Sequence, residues 1–443
     1  MDEIVDGAWL ACQVGDVSAG GIAATVTELV RRDEILPGTK LPTVRSLAAD
    51  LGVSPGTISA AWGLLRRRRI VETRRRGGTT VVGHPGAPHP TRFDSVGNYG
   101  DRLKTDLTFA TPDPALLPAL DQALLAALGN ESLNTYSREP ITPRLRSSLV
   151  PQWPFKADSW LAVNGGYEGL FLLCMTSIGH GETVAIEDPT APRLLDMLGI
   201  VGARLVPVRC DRSGPLPDDL RRAVEAGAVA FLYQPRAQCP CGHTVSKSRS
   251  AVLARILKGT GVLVVEDDGV GEAASTTMHS MGRLLPHQTV LVRSYAKAYG
   301  PDLRIGVMAG ASAPIRLAQD YRNFGARWTS RILQDALAVL VTDATCASQL
   351  ARAREHYNER RKALVDALAV RGLRVDAQEG LSIWVPVENE EYALVTFAAH
   401  GIAAGPGSRF YVSDGRAHLR IATSRLEHGY DEVADCTILA SRS

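Results

Sequence analysis

The residues with the clearest chemical potential lie between positions 266 and 304. The apolar run Val262-Leu263-Val264-Val265 is followed at once by Glu266-Asp267-Asp268, and Val290-Leu291-Val292 by Arg293-Ser294-Tyr295-Ala296-Lys297, with Arg304 seven residues further on. Continuous apolar runs of this kind read as strands buried on both faces, and the reactive residues of such sheets gather at the carboxyl ends of the strands. A lysine held there and stripped of water loses its charge readily and can form a Schiff base with a carbonyl group. An arginine beside a hydroxyl suits a phosphate. An aspartate can keep a pyridine nitrogen protonated, so that the ring draws electrons. Alone, each residue is ordinary; their order along the chain points to a covalent cofactor site.

Such a site needs a scaffold, and the flanking sequence supplies the pattern of one. Further short β-rich runs at 183–186, 205–208 and 229–232 alternate with apolar helical runs, which predicts an α/β unit with a mainly parallel sheet covered by helices. Residues 333–368 read as one long bridging helix. Short β-like runs at 381–387 and 418–421 then read as a small C-terminal α+β subdomain.

The first 82 residues follow a different plan. Ile22, Val26, Leu29 and Val30 recur at helical spacing and end in the turn Leu36-Pro37-Gly38. Thr43 caps a second helix with Leu47, Ala48 and Leu51 inward, stopped by Gly52. Ser54 caps a third helix over 55–68, whose Ile58, Ala61, Leu64 and Leu65 form its buried stripe. Residues 70–73 and 79–82 read as a hairpin with the cationic tip Arg74-Arg75-Arg76-Gly77-Gly78, placed for phosphate or minor-groove contact. This is a helix-turn-helix with a wing. Its third helix presents Ser54, Gly56, Thr57 and Ser59 to base edges, and Arg45 can reach a phosphate or a guanine.

Composition bounds the answer. A chain of 443 residues with 45% hydrophobic content supports two or three domains with substantial cores. Of 49 Lys/Arg against 47 Asp/Glu, residues 1–82 hold 11 against 9, so the whole positive excess sits in the segment that ends in the arginine-rich hairpin. Such clumping fits a polyanion partner. Seven scattered cysteines form no disulfide framework, and the acidic start is unlike a secretion signal, so a cytoplasmic location is expected. No stretch of 18 apolar residues predicts a membrane span. Cys239, Cys241 and His243 share one short loop with no fourth ligand nearby, and no metal is expected. The proline-rich run at 84–90 reads as an extended tether. The expected organisation is therefore a DNA-binding head at 1–82, a linker at 83–105 and an α/β unit at 106–443.

Two resemblances follow from these motifs. Residues 36–48, followed by Leu51-Gly52-Val53-Ser54 and the wing glycines, closely resemble the winged helix-turn-helix of the GntR family over residues 20–82. That resemblance implies that Arg45, Ser54, Gly56, Thr57, Ser59 and Gly77 contact operator DNA, with Arg75 at the wing tip beside them. Pro55-Gly56 stands where an arginine is common. The larger part resembles the fold type I pyridoxal-phosphate aminotransferases, through Asn164-Gly165-Gly166-Tyr167, Glu187-Asp188-Pro189, residues 234–242, Glu266-Asp267-Asp268, Ser294-Tyr295-Ala296-Lys297, Leu303-Arg304-Ile305-Gly306 and His418-Leu419-Arg420-Ile421. The joining of both parts resembles the MocR subfamily of GntR-type regulators, over residues 20–443.

The resemblance implies pyridoxal 5'-phosphate as cofactor, with Lys297 as the Schiff-base lysine and Asp267 as partner of the pyridine nitrogen. Gly166, Tyr167, Ser294 and Arg304 would hold the phosphate, Tyr136 would reach it across a homodimer interface, and Arg420 would pair with an effector carboxylate. Cys239 stands where the family has an asparagine that bonds the cofactor's phenolic oxygen. Ala191 and Gly269 replace an aromatic and a tyrosine. Each change removes a hydrogen bond or stacking contribution of about 1 kcal/mol. The implied function is a DNA-binding transcriptional regulator that senses an amine or amino acid and works on double-stranded operator DNA. Two further functions fit the same residues: a pyridoxal-phosphate-dependent aminotransferase, and a regulator whose effector domain has lost the cofactor.

Overall fold

The structure is a computed structural model that describes residues 4–67, 70–74, 78–82, 92, 103–136, 138–413 and 415–441. The chain divides into two compact units, Met1–His89 and Pro90–Ser443.

In the first unit four helices surround one core: α1 (Gly7–Gln13), α2 (Ala19–Arg31), α3 (Val44–Leu51) and α4 (Pro55–Arg67). Leu10, Ile22, Val26, Leu29, Leu47, Ile58 and Leu65 meet there in full burial. The predicted stops and starts are in place. Thr43 Oγ1 accepts from Ser46 N at 3.1 Å, and Gly52 ends α3 in the left-handed region at φ 66°. Helix α1 is an addition to the three helices expected; Asp6 caps it by accepting from Trp9 N at 2.9 Å, and Leu10 joins the core. Strands β1 (Val71–Arg74) and β2 (Gly78–Val81) form the antiparallel hairpin. Residues 38–41 extend it on the far side of β2, with Val81 N on Thr39 O and Leu41 N on Thr79 O, both at 2.8 Å. Arg75 and Gly77 at the wing tip lie outside the described residues.

The second unit adds β3 (Thr105–Leu107), β4 (Ser159–Val163), β5 (Thr183–Asp188), β6 (Arg204–Asp211), β7 (Gly214–Pro215), β8 (Ala228–Tyr233), β9 (Leu263–Asp268), β10 (Thr289–Ser294), β11 (Gly306–Gly310), β12 (Ser382–Pro386), β13 (Ile402–Pro406) and β14 (His418–Ala422). The large sheet has the order β4-β11-β10-β9-β8-β5-β6-β7, and its centre, from β10 to β6, is parallel. Successive residues of a strand point to opposite faces, and here both faces are buried. Val265, Val290, Val292, Ala230 and Leu232 pack with Leu170 of the helix Gly166–Ser177. Val264, Phe231 and Tyr233 pack on the other side. A smaller sheet, β12-β14-β13-β3, forms the C-terminal subdomain with the helices Glu390–Ala399 and Tyr430–Ser441.

The long helix expected over 333–368 is two helices, Arg331–Leu340 and Ala344–Val370. The break has a local cause: Asp343 leaves the helical conformation and accepts from Cys346 N at 2.8 Å, which caps a new helix. Of the expected linker, 83–91 and 93–102 lie outside the described residues. Arg92 donates to the carbonyls of Arg409 and Tyr411 at 3.1 and 3.0 Å, so this point of the chain is held against the larger unit. Among the described residues no helix is long and apolar enough to cross a membrane.

Candidate functional site

The period of two along β9 sorts three consecutive acids. Asp267 shares the face of Val265, toward the helix Gly166–Ser177, while Glu266 and Asp268 point to the other side. Their surroundings set three different charge states. Burial raises Glu266 to about 7 against the opposing pull of Ser280, Tyr233 and Met281 N. Burial also raises Asp267 to about 6, opposed by the amide of Gln234, which donates to Oδ2 at 2.8 Å, and by Lys297. Burial works against Asp268 as well, but Arg236 and Arg293, each at 2.8 Å, bring it down to about 2.

Asp267 opens on a cavity of about 290 Å³ at the carboxyl ends of β8, β9 and β10. Gly166, Tyr167, Cys239, Ser294, Lys297, Arg304 and Arg420 line the same cavity, so all the expected cofactor and effector residues but one converge. Lys297 lies one residue into the short helix Ala296–Tyr299 that follows β10, and Nζ donates to Gly269 O at 3.4 Å. Burial lowers the pKa of its amine, with Cys239 and Asp267 pulling the other way. At the opposite wall the helix Gly166–Ser177 starts without a side-chain cap, leaving its first amides available. Gly165 carries φ 89° and lies against the Arg304 guanidinium. A Cβ on Gly306 would stand 2.7 Å from Gly165 C and 2.8 Å from Gly166 N, so only glycine lets β11 approach the cradle.

Arg420 is present in the cavity but engaged: it donates to Thr108 O, approaches Cys239 Sγ at 3.8 Å and lies 5.2 Å from the Phe410 ring. Tyr136 is the exception. It is 83% exposed and meets Trp328 edge-on at 6.0 Å, away from the cavity of its own chain. Ala191 and Gly269 line the cavity where larger side chains were expected from the resemblance. Sequence reasoning placed Gln234 in the 234–242 motif but gave it no role, although it stands at the carboxyl end of β8 as Asp267 stands at that of β9. Its Oε1 also accepts from Cys239 N at 2.7 Å, so one side chain ties the loop to the acid. Arg193, over the Tyr167 ring at 4.6 Å, is a further cavity cation without a motif to announce it.

In the first unit, Arg45, Ser54, Gly56 and Ser59 are exposed along one end of α3 and α4, and Thr57 is half-buried. The Ser54 hydroxyl accepts from Thr57 N at 3.1 Å and pairs with Thr57 Oγ1 at 3.0 Å. Those two side chains therefore build the helix start, leaving Gly56, Ser59 and Arg45 as the accessible surface.

The profile of the family described as aminotransferase class I and II matches residues 104–435, and that of the bacterial regulatory proteins of the gntR family matches residues 19–81. The chain belongs to the class I and II aminotransferase family and carries a GntR head. This is the composition of MocR-type proteins. The MocR-type chain is 29% identical to the vitamin B6 salvage pathway transcriptional repressor PtsJ of Salmonella typhimurium, over 89% of this chain and 93% of the relative. It is 27% identical to the probable rhizopine catabolism regulatory protein MocR of Rhizobium meliloti, over 75% and 74%. Among solved structures it resembles the kynurenine aminotransferase of Pyrococcus horikoshii, with a TM-score of 0.69 and 19% identity over 76% of this chain and 91% of that one, a likeness of fold.

The pairing of Asp268 with two buried arginines makes a direct prediction. Replacing it by asparagine leaves two guanidinium groups without their counter-charge, and Asp268→Asn is expected to cost about 3–5 kcal/mol of stability, measured by denaturant unfolding of the full chain. A loss below about 1 kcal/mol would contradict the arrangement.

Proposed function

We propose that this MocR-type protein is a cytoplasmic, homodimeric transcriptional regulator that grips operator DNA with its GntR head and senses an amine or amino acid in its aminotransferase-like unit. The observation that carries the reading is the meeting of a buried lysine amine of lowered pKa, an acid and an anion cradle in one cavity. These residues fit pyridoxal phosphate. Lys297 offers the nucleophilic amine, Asp267 lines the cavity while Gln234 holds its Oδ2, and the uncapped helix start with Ser294 and Arg304 suits a phosphate. When bound, that group supplies an aldehyde that exchanges one amine for another. Arg420 then offers a cation to an effector carboxylate, provided its bond to Thr108 O is given up. Tyr136, exposed on each protomer, is the residue we assign to the partner's phosphate cradle in the dimer.

Regulation requires that the effector favour one arrangement of the dimer over another by its own differential affinity. The aminotransferase alternative is disfavoured by the cavity itself, where Cys239, Ala191 and Gly269 supply neither the ring stacking nor the hydrogen bonds that position a reacting group.

Addition of pyridoxal phosphate to the purified protein is expected to give a protein-bound visible absorbance that Lys297→Ala abolishes and that a responsive amine shifts while changing operator retention on a gel. A wild-type protein that stays colourless sinks the cofactor part. Affinity for the cofactor should fall as pH is lowered through about 6, because Asp267 takes up a proton there and no longer faces a protonated ring nitrogen with a negative charge; Asp267→Asn should flatten that dependence in the same absorbance titration. On the head, Arg45→Ala is expected to weaken operator binding by about 1–3 kcal/mol, read by fluorescence anisotropy at fixed salt, with no change in cofactor absorbance.

A further inference from the structure

Beneath the cofactor cavity, one group of side chains has no part in the reading above. Glu187 on β5 stands in register with Val208 of the parallel strand β6, so Cys210, two residues on, shares the face of Glu187. His243 arrives from the loop that follows β8. The donor atoms of Glu187, Cys210 and His243 all lie within 4.8 Å of one another. Glu187 Oε2 and His243 Nε2 face each other at 3.9 Å, in side chains 0% and 5% exposed, and neither has a hydrogen-bond partner. Burying two unpartnered polar atoms is costly, and 3.9 Å is too long for them to satisfy one another. It is close to the donor separation around a tetrahedral zinc ion, roughly 3.3–3.6 Å from the usual bond lengths.

We propose that Glu187, Cys210 and His243 form a binding site for a divalent transition-metal ion of the zinc class, with the fourth position left to water. The donor set of carboxylate, thiolate and imidazole selects such ions over magnesium or calcium, which take oxygen ligands. Charge also closes: one carboxylate and one thiolate cancel the two positive charges, and binding releases to solvent the thiol proton together with any proton that burial keeps on Glu187. The ion would not be isolated from the cavity above it. Glu187 Oε1 accepts from Gln234 N at 3.0 Å, and the Gln234 side chain holds both Asp267 and Cys239 N. A metal that fixes Glu187 and His243 thus fixes the strand end that orients the acid.

The test is a titration of the full-length protein, cleared of metal by a chelator, with cobalt(II) and then zinc(II). One equivalent of cobalt should produce the visible bands of a tetrahedral ion and a near-ultraviolet thiolate-to-cobalt band, both removed by zinc. Cys210→Ser should lose the thiolate band while Cys241→Ser, on the same loop as His243, keeps it. His243→Ala should weaken zinc binding by at least roughly 10–100-fold, the range that loss of even an outer partner costs. The absence of any saturable cobalt spectrum in the wild-type protein overturns the proposal without recourse to variants. So does a thiolate band that survives in folded Cys210→Ser protein, checked by circular dichroism.

Discussion

Lys297 can act as a nucleophile only while its amine is kept uncharged, and that requires water to be held off a cation-forming group at the carboxyl end of an inner strand. The larger unit is organised around this requirement. Two buried faces close the sheet, the helix Gly166–Ser177 covers one of them, and the C-terminal subdomain brings Arg420 over the opening. Burial lowers the pKa of the lysine, while the Cys239 thiol and the acid pull the other way and temper the effect. The balance belongs to the cavity as a whole, so no single contact defines it.

The three acids at the end of β9 illustrate how neighbours, more than residue type, decide chemistry. Asp268 is a structural anion because two guanidinium groups converge on it. Glu266 lies on the same side and receives three neutral hydrogen bonds in place of a cation, which leaves it near neutrality in free energy between its two forms around pH 7. Asp267, between them in sequence and opposite in direction, has one amide donor and one oxygen left over. Only that one is suited to a ligand.

Much of this was legible in the chain. The alternation of apolar runs located β5, β8, β9 and β10, because strands buried on both faces need no polar interruption, and it also located β6, which is only partly buried; the residues after each run were the right places to look. Gly52, Thr43 and Ser54 announced the helix boundaries of the head through caps that have few substitutes. What escaped depended on distance in the sequence. Helix α1 has a single buried residue, Leu10, too little for a periodic signal. The break at Asp343 rests on one side chain turning back on its own backbone. Glu187, Cys210 and His243 are drawn together by strand register and a loop closure, neither of which a linear spacing rule can express; Cys239, Cys241 and His243 attracted notice as possible ligands because they lie close in sequence. The role of Gln234 escaped for a related reason, since its value lies in joining Asp267 to the 239–242 loop.

The departures at Cys239, Ala191 and Gly269 carry a functional argument of their own. An aminotransferase must hold its cofactor through many cycles, including the moments when its lysine is displaced, so it needs stacking and hydrogen bonds that survive that displacement. Here the cavity keeps the amine, the acid and the anion cradle, while Cys239, Ala191 and Gly269 supply none of those supports. On the proposed reading, a grip weakened at these three positions would leave Lys297 a larger share of the hold, and its displacement by an incoming amine would change the stability of the occupied unit by more than in a well-supported site. That is a disadvantage for turnover and an advantage for a sensor, whose output depends on the size of the difference between two states.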